Sequence, residues 1–232
     1  MIIALYVAVA LIGYILGSIP FGVIISRRSV KTDITQVGSG KIGMTNVLRT
    51  AGKKAAGLSL ILDMAKGALA VIFAGLIFGG DFLPKAGADP LTLMKSAQAL
   101  AALAAILGHS WSIFLKFKGG RGVATFIGGL LALYWPAAIF GGAVLLITAG
   151  LSRYMSLGSI TGAVAAFALL IILYVLKPYS IEYLIYTIYT MVCAIFIYVR
   201  HRDNIIRLVS GTERRLGEKV KVDNSPSSSN YE

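Results

Sequence analysis

Cysteine, histidine and acidic side chains are scarce in this sequence. Its 232 residues include one cysteine, two histidines and ten aspartates and glutamates. The single Cys193 excludes an internal disulfide and a cysteine-based metal cluster, because each needs at least two thiols. His109 and His201, with so few carboxylates, would leave a metal ion short of ligands. We therefore expect neither a metal nor another cofactor.

Two motifs of nucleotide and ester chemistry are also absent. The sequence has no GxxxxGK(S/T) loop, which cradles the phosphates of a nucleoside triphosphate in many proteins. It has no GxSxG turn, which carries the nucleophilic serine of many hydrolases. The sequence therefore does not support chemistry driven by nucleoside triphosphates or a serine hydrolase.

Long apolar runs dominate what is present. Hydrophobic residues make up 57% of the chain and charged residues only 14%, and the mean hydropathy is +0.80. A soluble domain of this length needs more polar surface, so this composition predicts an all-α polytopic membrane protein. We expect about seven transmembrane helices, at about 2–25, 54–80, 93–115, 122–133, 136–151, 155–176 and 181–199.

The apolar stretch 122–151 is divided by the sequence Tyr134-Trp135-Pro136. Proline has no backbone N–H to donate and disfavours helix at the residue before it. Tyrosine and tryptophan also favour the interface between membrane and water. We therefore interpret this stretch as two short helices joined by a tight external turn.

The distribution of basic residues predicts the orientation. Most of the 22 lysines and arginines lie in segments 26–54, 116–121 and 152–154 and after residue 200, which are alternate connections between the predicted helices. The positive-inside rule then places the N-terminus outside and the C-terminus in the cytoplasm, which requires an odd number of spans. Because topology explains the net charge of +12, we predict no nucleic-acid partner.

The sequence shows one membrane domain and a short polar tail. We assign residues 1–221 to a single integral membrane domain, without a fixed-period repeat or a separate soluble domain. Residues 222–232 are rich in serine and asparagine and lack apolar periodicity, so we predict a disordered cytoplasmic tail.

A first polar motif lies before the second apolar run, and it spans residues 37–49. Glycines such as Gly40 let backbone N–H groups turn toward an anion. The hydroxyls of Ser39 and Thr45 can donate hydrogen bonds, and Arg49 can bind phosphate oxygens with two donors. A flexible basic loop that only fixes topology would not need this glycine-serine pattern, so we favour a phosphate-binding role.

A second motif, Lys118-Gly119-Gly120-Arg121-Gly122, lies before another predicted helix. A helix N-terminus presents free N–H groups and a partial positive charge, which suits phosphate binding. Lys118 and Arg121 add full charges. A tight turn between helices, flanked by lysine and arginine at the membrane surface, explains this pattern equally well.

Other polar residues near the predicted inner face have two interpretations each. His201, Asn204 and Arg207 share one face of a helix, which is either part of a site or an amphipathic cap. A lone membrane histidine such as His109 more often bonds a neighbouring helix than takes part in catalysis. Asp63 and Lys66, three residues apart within a span, favour a structural ion pair. Ser156 lies on the remaining inner turn, where it can complete a pocket.

Taken together, these motifs resemble those of the bacterial acyl-phosphate-dependent glycerol-3-phosphate acyltransferases. The resemblance also includes Gly17-Ser18-Ile19-Pro20-Phe21-Gly22 and Leu62-Asp63-Met64-Ala65-Lys66-Gly67, and it extends to about Glu218 in the same order and spacing. It implies a monomeric enzyme of the bacterial inner membrane with seven helices, surrounded by membrane lipids, and with its active site facing the cytoplasm. It implies transfer of a fatty acyl group from acyl phosphate to the 1-hydroxyl of glycerol 3-phosphate, which gives lysophosphatidate and inorganic phosphate and is the first acylation of phospholipid synthesis.

The resemblance also implies roles for individual residues, and Glu213 matches an acidic residue of the third motif. Two positions depart from the family pattern: Lys41 replaces a usual asparagine, and Arg121 replaces a usual lysine. We predict catalytic roles for Ser39, Arg49, Arg121, His201 and Asn204, and substrate binding by Gly40, Thr45, Asn46, His109, Lys118, Gly119, Gly120, Gly122, Thr125 and Ser156.

A membrane transporter of small organic phosphates is the alternative, since it also needs apolar helices and a cationic pocket. Transporters usually bind their substrate near the middle of the membrane, between repeated and broken helices. Here the polar motifs lie on one predicted face and no repeat is visible. The enzyme is therefore the favoured hypothesis.

Overall fold

A computed structural model describes residues 1–80 and 89–218, and these residues are almost entirely helical. The predicted tail at 222–232 lies outside them, as does most of the polar connection before α4. One short 3₁₀ helix, Ile113–Leu115, lies between α4 and α5. The α-helices are α1 (Ile2–Ser18), α2 (Phe21–Val30), α3 (Met44–Phe78), α4 (Pro90–Ser110), α5 (Val123–Ser152), α6 (Met155–Leu176), α7 (Ile181–Arg200) and α8 (Arg202–Val209).

The membrane character predicted from composition is confirmed, with a different count. Among the described residues, six helical segments are long and apolar enough to cross a membrane, when α1 and α2 are counted together and α5 is counted once. Seven spans were predicted, and the difference lies in α5. The described residues form no regular β-strand, and their only bridge pairs Ser112 with Lys118.

The helices differ from the predicted spans at two places in the first half of the chain. The predicted span 2–25 divides into α1 and α2, because Pro20 cannot donate a backbone hydrogen bond. α3 begins at Met44, about ten residues before the predicted span, and Gly52 interrupts it with a φ of 83°. A left-handed backbone of this kind is easy only for glycine. The first helical piece of α3 therefore carries Thr45, Asn46 and Arg49 as a separate unit.

α5 reverses direction near its middle. Tyr134 has non-helical torsions, with φ −156° and ψ 89°, and Pro136 follows it. A straight helix of 30 residues would hold its ends about 45 Å apart. Instead Val123, at the start of α5, and Met155, just after its end, line the same cavity. The two halves of α5 therefore run back along each other from the turn that the sequence predicted.

Glycines bring α3 against the first half of α5. A Cβ atom on Gly128 would collide with the backbone of Met64, and one on Gly67 would collide with the carbonyl of Thr125. Membrane helices commonly pack through small residues in this way, because lipid provides no hydrophobic driving force between helices. This close approach places the glycine-rich segment before α5 beside the polar start of α3.

Candidate active site

The polar motifs converge on a cavity of about 520 Å³ at one end of the helix bundle. Its walls come from the loop before α3, the start of α3, the segment before α5, the start of α6, α8 and the segment after α8. These parts are far apart in sequence, so the helix packing described above creates the site. Ten of the predicted site residues line this cavity: Ser39, Thr45, Asn46, Arg49, His109, Arg121, Gly122, Ser156, His201 and Asn204.

Five predicted binding residues do not line the cavity, and the structure explains each case. Gly40 and Lys118 are exposed on the outer surface of their loops. Gly119 and Gly120 are buried against His109, and a Cβ on Gly120 would collide with the His109 ring. Thr125 is fully buried in the helix contact between α3 and α5. The glycine pair therefore shapes the loop behind Arg121 instead of forming the wall.

Asn46 holds the first motif in shape. Its side-chain Nδ2 donates to the carbonyls of Ile34, Val37 and Lys41 at 2.9–3.0 Å. Its Oδ1 accepts a hydrogen bond from the backbone N–H of Ser39 at 3.2 Å. Both ends of this amide therefore bond the loop, while Asn46 also lines the cavity.

Positive charge dominates the polar end of the cavity. Among residues 1–80 and 89–218, no carboxylate lies within 4.0 Å of Lys41, Arg49 or Arg121. The Nε atoms of Arg49 and Arg121 are buried and have no hydrogen-bond partner in the same residues. Such donors favour an anionic ligand, because an unpartnered buried donor is costly.

Burial lowers the pKa values of two of these cations without removing their charge. Burial is the main cause that lowers the pKa of Arg121 to about 10. The nearby arginines lower it further, and Glu213 opposes them. Burial, followed by the charges of Arg200 and Arg121, also lowers the pKa of Lys41. Arg121 therefore stays protonated at neutral pH and can balance the charge of a phosphate.

Glu213 organises the wall formed by α6 and α8. Its carboxylate accepts hydrogen bonds from Ser156 Oγ at 2.8 Å, Asn204 Nδ2 at 2.6 Å and Arg207 Nε at 2.7 Å. Burial would raise the pKa of Glu213, but these three donors outweigh it and hold the pKa below its ordinary value. The resemblance matched Glu213 to an acidic residue of the third motif, and the structure shows that it joins two predicted site residues.

His201 is buried and uncharged at neutral pH. Its Nδ1 lies 2.7 Å from the carbonyl oxygen of Ile197, which fixes the ring. Burial, followed by the charge of Arg121, lowers the pKa of His201 to about 4. The lowered pKa has a physical cause, because burial and a neighbouring cation both disfavour a second positive charge.

The predicted ion pair within α3 is present and extends to α4. Lys66 Nζ lies 2.8 Å from Asp63 Oδ1, and it donates to the carbonyl of Ile19 at 3.0 Å. His109 Nδ1 lies 3.6 Å from the same Asp63 oxygen. Asp63 and His109 also reach the cavity wall, so this cluster ties the break between α1 and α2 to the base of the site.

An apolar wall continues from the cationic end of the cavity. Its side chains come from α3 and from both halves of α5, which face each other because α5 reverses. These residues could not be identified from the sequence, because apolar residues that line a cavity and those that face lipid have the same composition in membrane helices. The wall includes Leu60, Met64, Ile127, Leu145 and Leu146.

The described residues do not assemble a cluster of three or more His, Cys, Asp or Glu side chains suited to a metal ion. The cavity presents hydroxyl groups, amides and cations. Such a site can bind phosphate and can stabilise negative charge that develops on oxygen.

The sequence matches a known family over most of its length. A profile described as glycerol-3-phosphate acyltransferase matches residues 7–211. Glycerol-3-phosphate acyltransferase 3 of Dehalococcoides mccartyi (strain CBDB1) is 53% identical over 221 residues, which cover 95% of this chain and 100% of that protein. Glycerol-3-phosphate acyltransferase of Rhodopseudomonas palustris (strain BisB5) is 44% identical over 217 residues, which cover 94% and 99%.

Two solved structures share the fold. The crystal structure of PlsY (YgiH), an integral membrane glycerol 3-phosphate acyltransferase, in its glycerol 3-phosphate form superposes with a TM-score of 0.74 at 34% identity, covering 91% of this chain and 96% of that chain. Its lysophosphatidic acid form superposes with a TM-score of 0.72, also at 34% identity, covering 90% and 94%. The convergent polar cavity, the six apolar helical segments and these matches agree, and the chain belongs to the glycerol-3-phosphate acyltransferase family of integral membrane enzymes.

Proposed function

We propose that this enzyme transfers a fatty acyl group from acyl phosphate to the 1-hydroxyl of glycerol 3-phosphate. The hydroxyl oxygen forms an ester bond with the acyl carbonyl carbon, and the bond from that carbon to the phosphate oxygen breaks. The hydroxyl proton passes to a phosphate oxygen. The products are lysophosphatidate and inorganic phosphate, as in the first acylation of phospholipid synthesis.

The observation that carries this proposal is the division of one cavity into a cationic end and an apolar wall. Two phosphorylated substrates repel each other, so bringing them together requires several positive charges that are not already neutralised. Lys41, Arg49 and Arg121 meet this requirement. The wall that includes Leu60 and Ile127 suits the fatty chain of an acyl donor, which a purely polar substrate would not need.

The site residues divide into two groups in this proposal. Ser39, Thr45, Arg49 and Arg121 contact the phosphate groups, together with backbone N–H groups near Gly122 at the start of α5. Ser156, His201 and Asn204 orient glycerol 3-phosphate from the opposite wall, where Glu213 fixes two of them. Catalysis then rests on positioning and charge stabilisation, and aligning two reactants can contribute about 7–11 kcal/mol.

The proton acceptor in this reaction is a substrate phosphate oxygen. His201 is a poor base, because burial and Arg121 lower its pKa to about 4. Replacing His201 with glutamine keeps a polar side chain and should retain turnover, with a raised KM for glycerol 3-phosphate. A kcat reduced by several orders of magnitude with unchanged KM would instead identify His201 as an obligatory base.

The donor is tested with purified protein and two donors of equal chain length. Palmitoyl phosphate and glycerol 3-phosphate should give phosphate and lysophosphatidate in equal amounts, whereas palmitoyl-CoA should give neither. Turnover with palmitoyl-CoA and none with palmitoyl phosphate would show that the proposed donor is wrong. The proposed acceptor and the family assignment would be unaffected. Uptake of glycerol 3-phosphate into protein-containing vesicles without any product would support the transporter alternative.

We also propose a location and an orientation for the enzyme. The basic connections lie at the cavity end of the bundle, and the positive-inside rule supports a cavity that faces the cytoplasm from the bacterial inner membrane. In this proposal the two halves of α5 cross the membrane separately, which makes seven crossings and leaves the N-terminus outside. The proposed working unit is a monomer.

A further inference from the structure

A short exposed hairpin, residues 111–118, joins α4 to α5 beside the glycine-rich loop. We call it the aromatic hairpin. Four of its large apolar side chains are strongly exposed: Trp111 at 41%, Ile113 at 53%, Phe114 at 59% and Phe117 at 62%. Lys116 and Lys118 are exposed among them. An exposed apolar patch of this kind marks a site of membrane or protein contact.

The aromatic hairpin is a tight turn closed by backbone hydrogen bonds. Lys116 and Phe117 both have positive φ angles, 52° and 58°, which are uncommon for residues other than glycine. Phe117 N donates to Ser112 O at 2.9 Å, and Lys118 N donates to Leu115 O at 3.1 Å. The exposed rings therefore project from a closed turn.

Two contacts fasten the aromatic hairpin to α1. Ser112 Oγ donates to the carbonyl of Ser18 at 2.5 Å, and Tyr14 Oη donates to the carbonyl of Trp111 at 2.7 Å. The hairpin therefore lies at the level where α1 and α4 end, at the same end of the bundle as the cavity. In a membrane protein this level is the boundary between hydrocarbon and headgroups, where aromatic residues and lysines are favoured.

We propose that the aromatic hairpin inserts into the headgroup region of the bilayer and binds anionic lipid there. Phe114, Phe117 and the Trp111 ring would enter the upper hydrocarbon, while Lys116 and Lys118 bind acidic headgroups. This assignment accounts for Lys118, which the sequence placed in the substrate site and the structure places outside it. A lysine near an anionic surface contributes about 1 kcal/mol to such binding, or about fivefold in affinity.

The aromatic hairpin also contacts the catalytic end of the protein. The Arg200 guanidinium lies 5.3 Å from the Trp111 ring centre, and its Nη2 donates to the Gly120 carbonyl at 3.0 Å. Gly120 adjoins Arg121 in the cavity wall. Arg200 therefore connects the inserted hairpin to the glycine-rich loop. Lipid binding by the hairpin does not depend on which acyl donor the enzyme uses.

The depth of insertion is measurable by fluorescence. The chain has two tryptophans, so Trp135→Phe leaves Trp111 as the single reporter. The vesicles contain phosphatidylcholine with bromine on the acyl-chain carbons closest to the headgroup. In these vesicles the emission of Trp111 should be quenched, while iodide in the aqueous phase should have little effect. Strong iodide quenching without bromine quenching would overturn the proposal and indicate a surface that awaits a soluble protein partner.

The lipid preference is tested in the same background. Brominated phosphatidylglycerol, diluted into unlabelled phosphatidylcholine, should quench Trp111 roughly twofold more than brominated phosphatidylcholine at the same fraction. Lys116→Asn should bring this ratio toward one, and Phe117→Asn should reduce both signals. Asparagine tolerates the left-handed backbone at these positions, so the fold should be preserved. Equal quenching by the two lipids in the unaltered hairpin would refute the anionic preference.

Lys177→Asn and Tyr179→Asn are the matched controls. They remove an exposed lysine and an exposed aromatic residue at the turn between α6 and α7, at the far end of α6 from the cavity. Both should leave the Trp111 signals unchanged. A change equal to that of the hairpin variants would mean that the signals report general effects on the bilayer and would overturn the assignment.

Discussion

Arg121 shows most clearly what one side chain contributes to the cavity. Its guanidinium is half-buried or more, carries an unpartnered Nε and keeps its charge at neutral pH. The usual lysine of the family would offer the same charge with fewer donors in a less fixed geometry. We interpret the arginine as a way to hold two phosphate oxygens at once.

Removing the Arg121 charge should therefore reduce the catalytic rate selectively. Charge-assisted hydrogen bonds contribute about 1.5–3 kcal/mol, so Arg121→Ala should lower kcat/KM roughly 10- to 100-fold, and Arg121→Lys should lower it less. Initial rates of phosphate release measure both. Lys53→Ala, which removes an exposed cation from α3, is the control and should leave the rate unchanged. Equal losses at the two positions would contradict a specific contact by Arg121.

His201 leads to a prediction about stability in acid. Its pKa falls from 6.5 to about 4 on folding, so between these values the unfolded chain binds a proton that the folded protein does not. The free energy of unfolding therefore decreases as the pH falls through this window, by about 3 kcal/mol when complete. Thermal unfolding in detergent from pH 7 to pH 4 should show this loss.

His201→Gln should reduce the loss of stability between pH 6.5 and pH 4, because it removes the contribution of His201. Sensitivity below about pH 4.5 should remain, because Glu213 has a lowered pKa and loses its stabilising charge there. Identical pH profiles for the two proteins would show that His201 does not carry the effect.

At the scale of helices, the contact between α3 and the first half of α5 brings the start of α5 against the part of α3 that lines the cavity. Gly128 is critical here, since any Cβ would meet the Met64 backbone, which cannot move aside as a side chain can. Gly128→Ala should destabilise the protein by about 1–3 kcal/mol, as overpacking generally does, and should reduce activity in parallel.

Gly150→Ala is the comparison for that variant. Gly150 also lies in α5, but no neighbouring atom lies within 4 Å of a Cβ built there. Alanine is the better helix former, so this change should leave stability unchanged or raise it by about 0.5–1 kcal/mol. Melting temperatures of both variants provide the measurement. Equal destabilisation would show that helix propensity, rather than the contact with Met64, controls the result.

The sequence predicted helices and their grouping better than it predicted local contacts. Basic residues in alternate connections placed Ser39, Arg121 and Asn204 at one end of the molecule, and one cavity does collect them. Charge counting shows on which side a loop lies but not where its side chains point. For that reason the sequence does not reveal that Lys118 is exposed outside the cavity lining, or that the Asn46 amide bonds its own loop. The early start of α3 was missed because its first turns are polar.

For the whole molecule, the proposed topology has seven crossings of the membrane. Introduced cysteines can count the crossings in intact cells, once the buried Cys193 is replaced by alanine. Trp135→Cys and Tyr179→Cys should react with a membrane-impermeant maleimide from outside, whereas Lys116→Cys should react only after lysis. If position 135 is protected until lysis, the reversal in α5 does not reach the outer face.

The Glu213 carboxylate has a consequence for how the cavity can move. One oxygen of this side chain accepts hydrogen bonds from both Ser156 at the start of α6 and Asn204 on α8. Any displacement of α8 is therefore transmitted to α6 through a single side chain, so these two parts of the wall should open and close together.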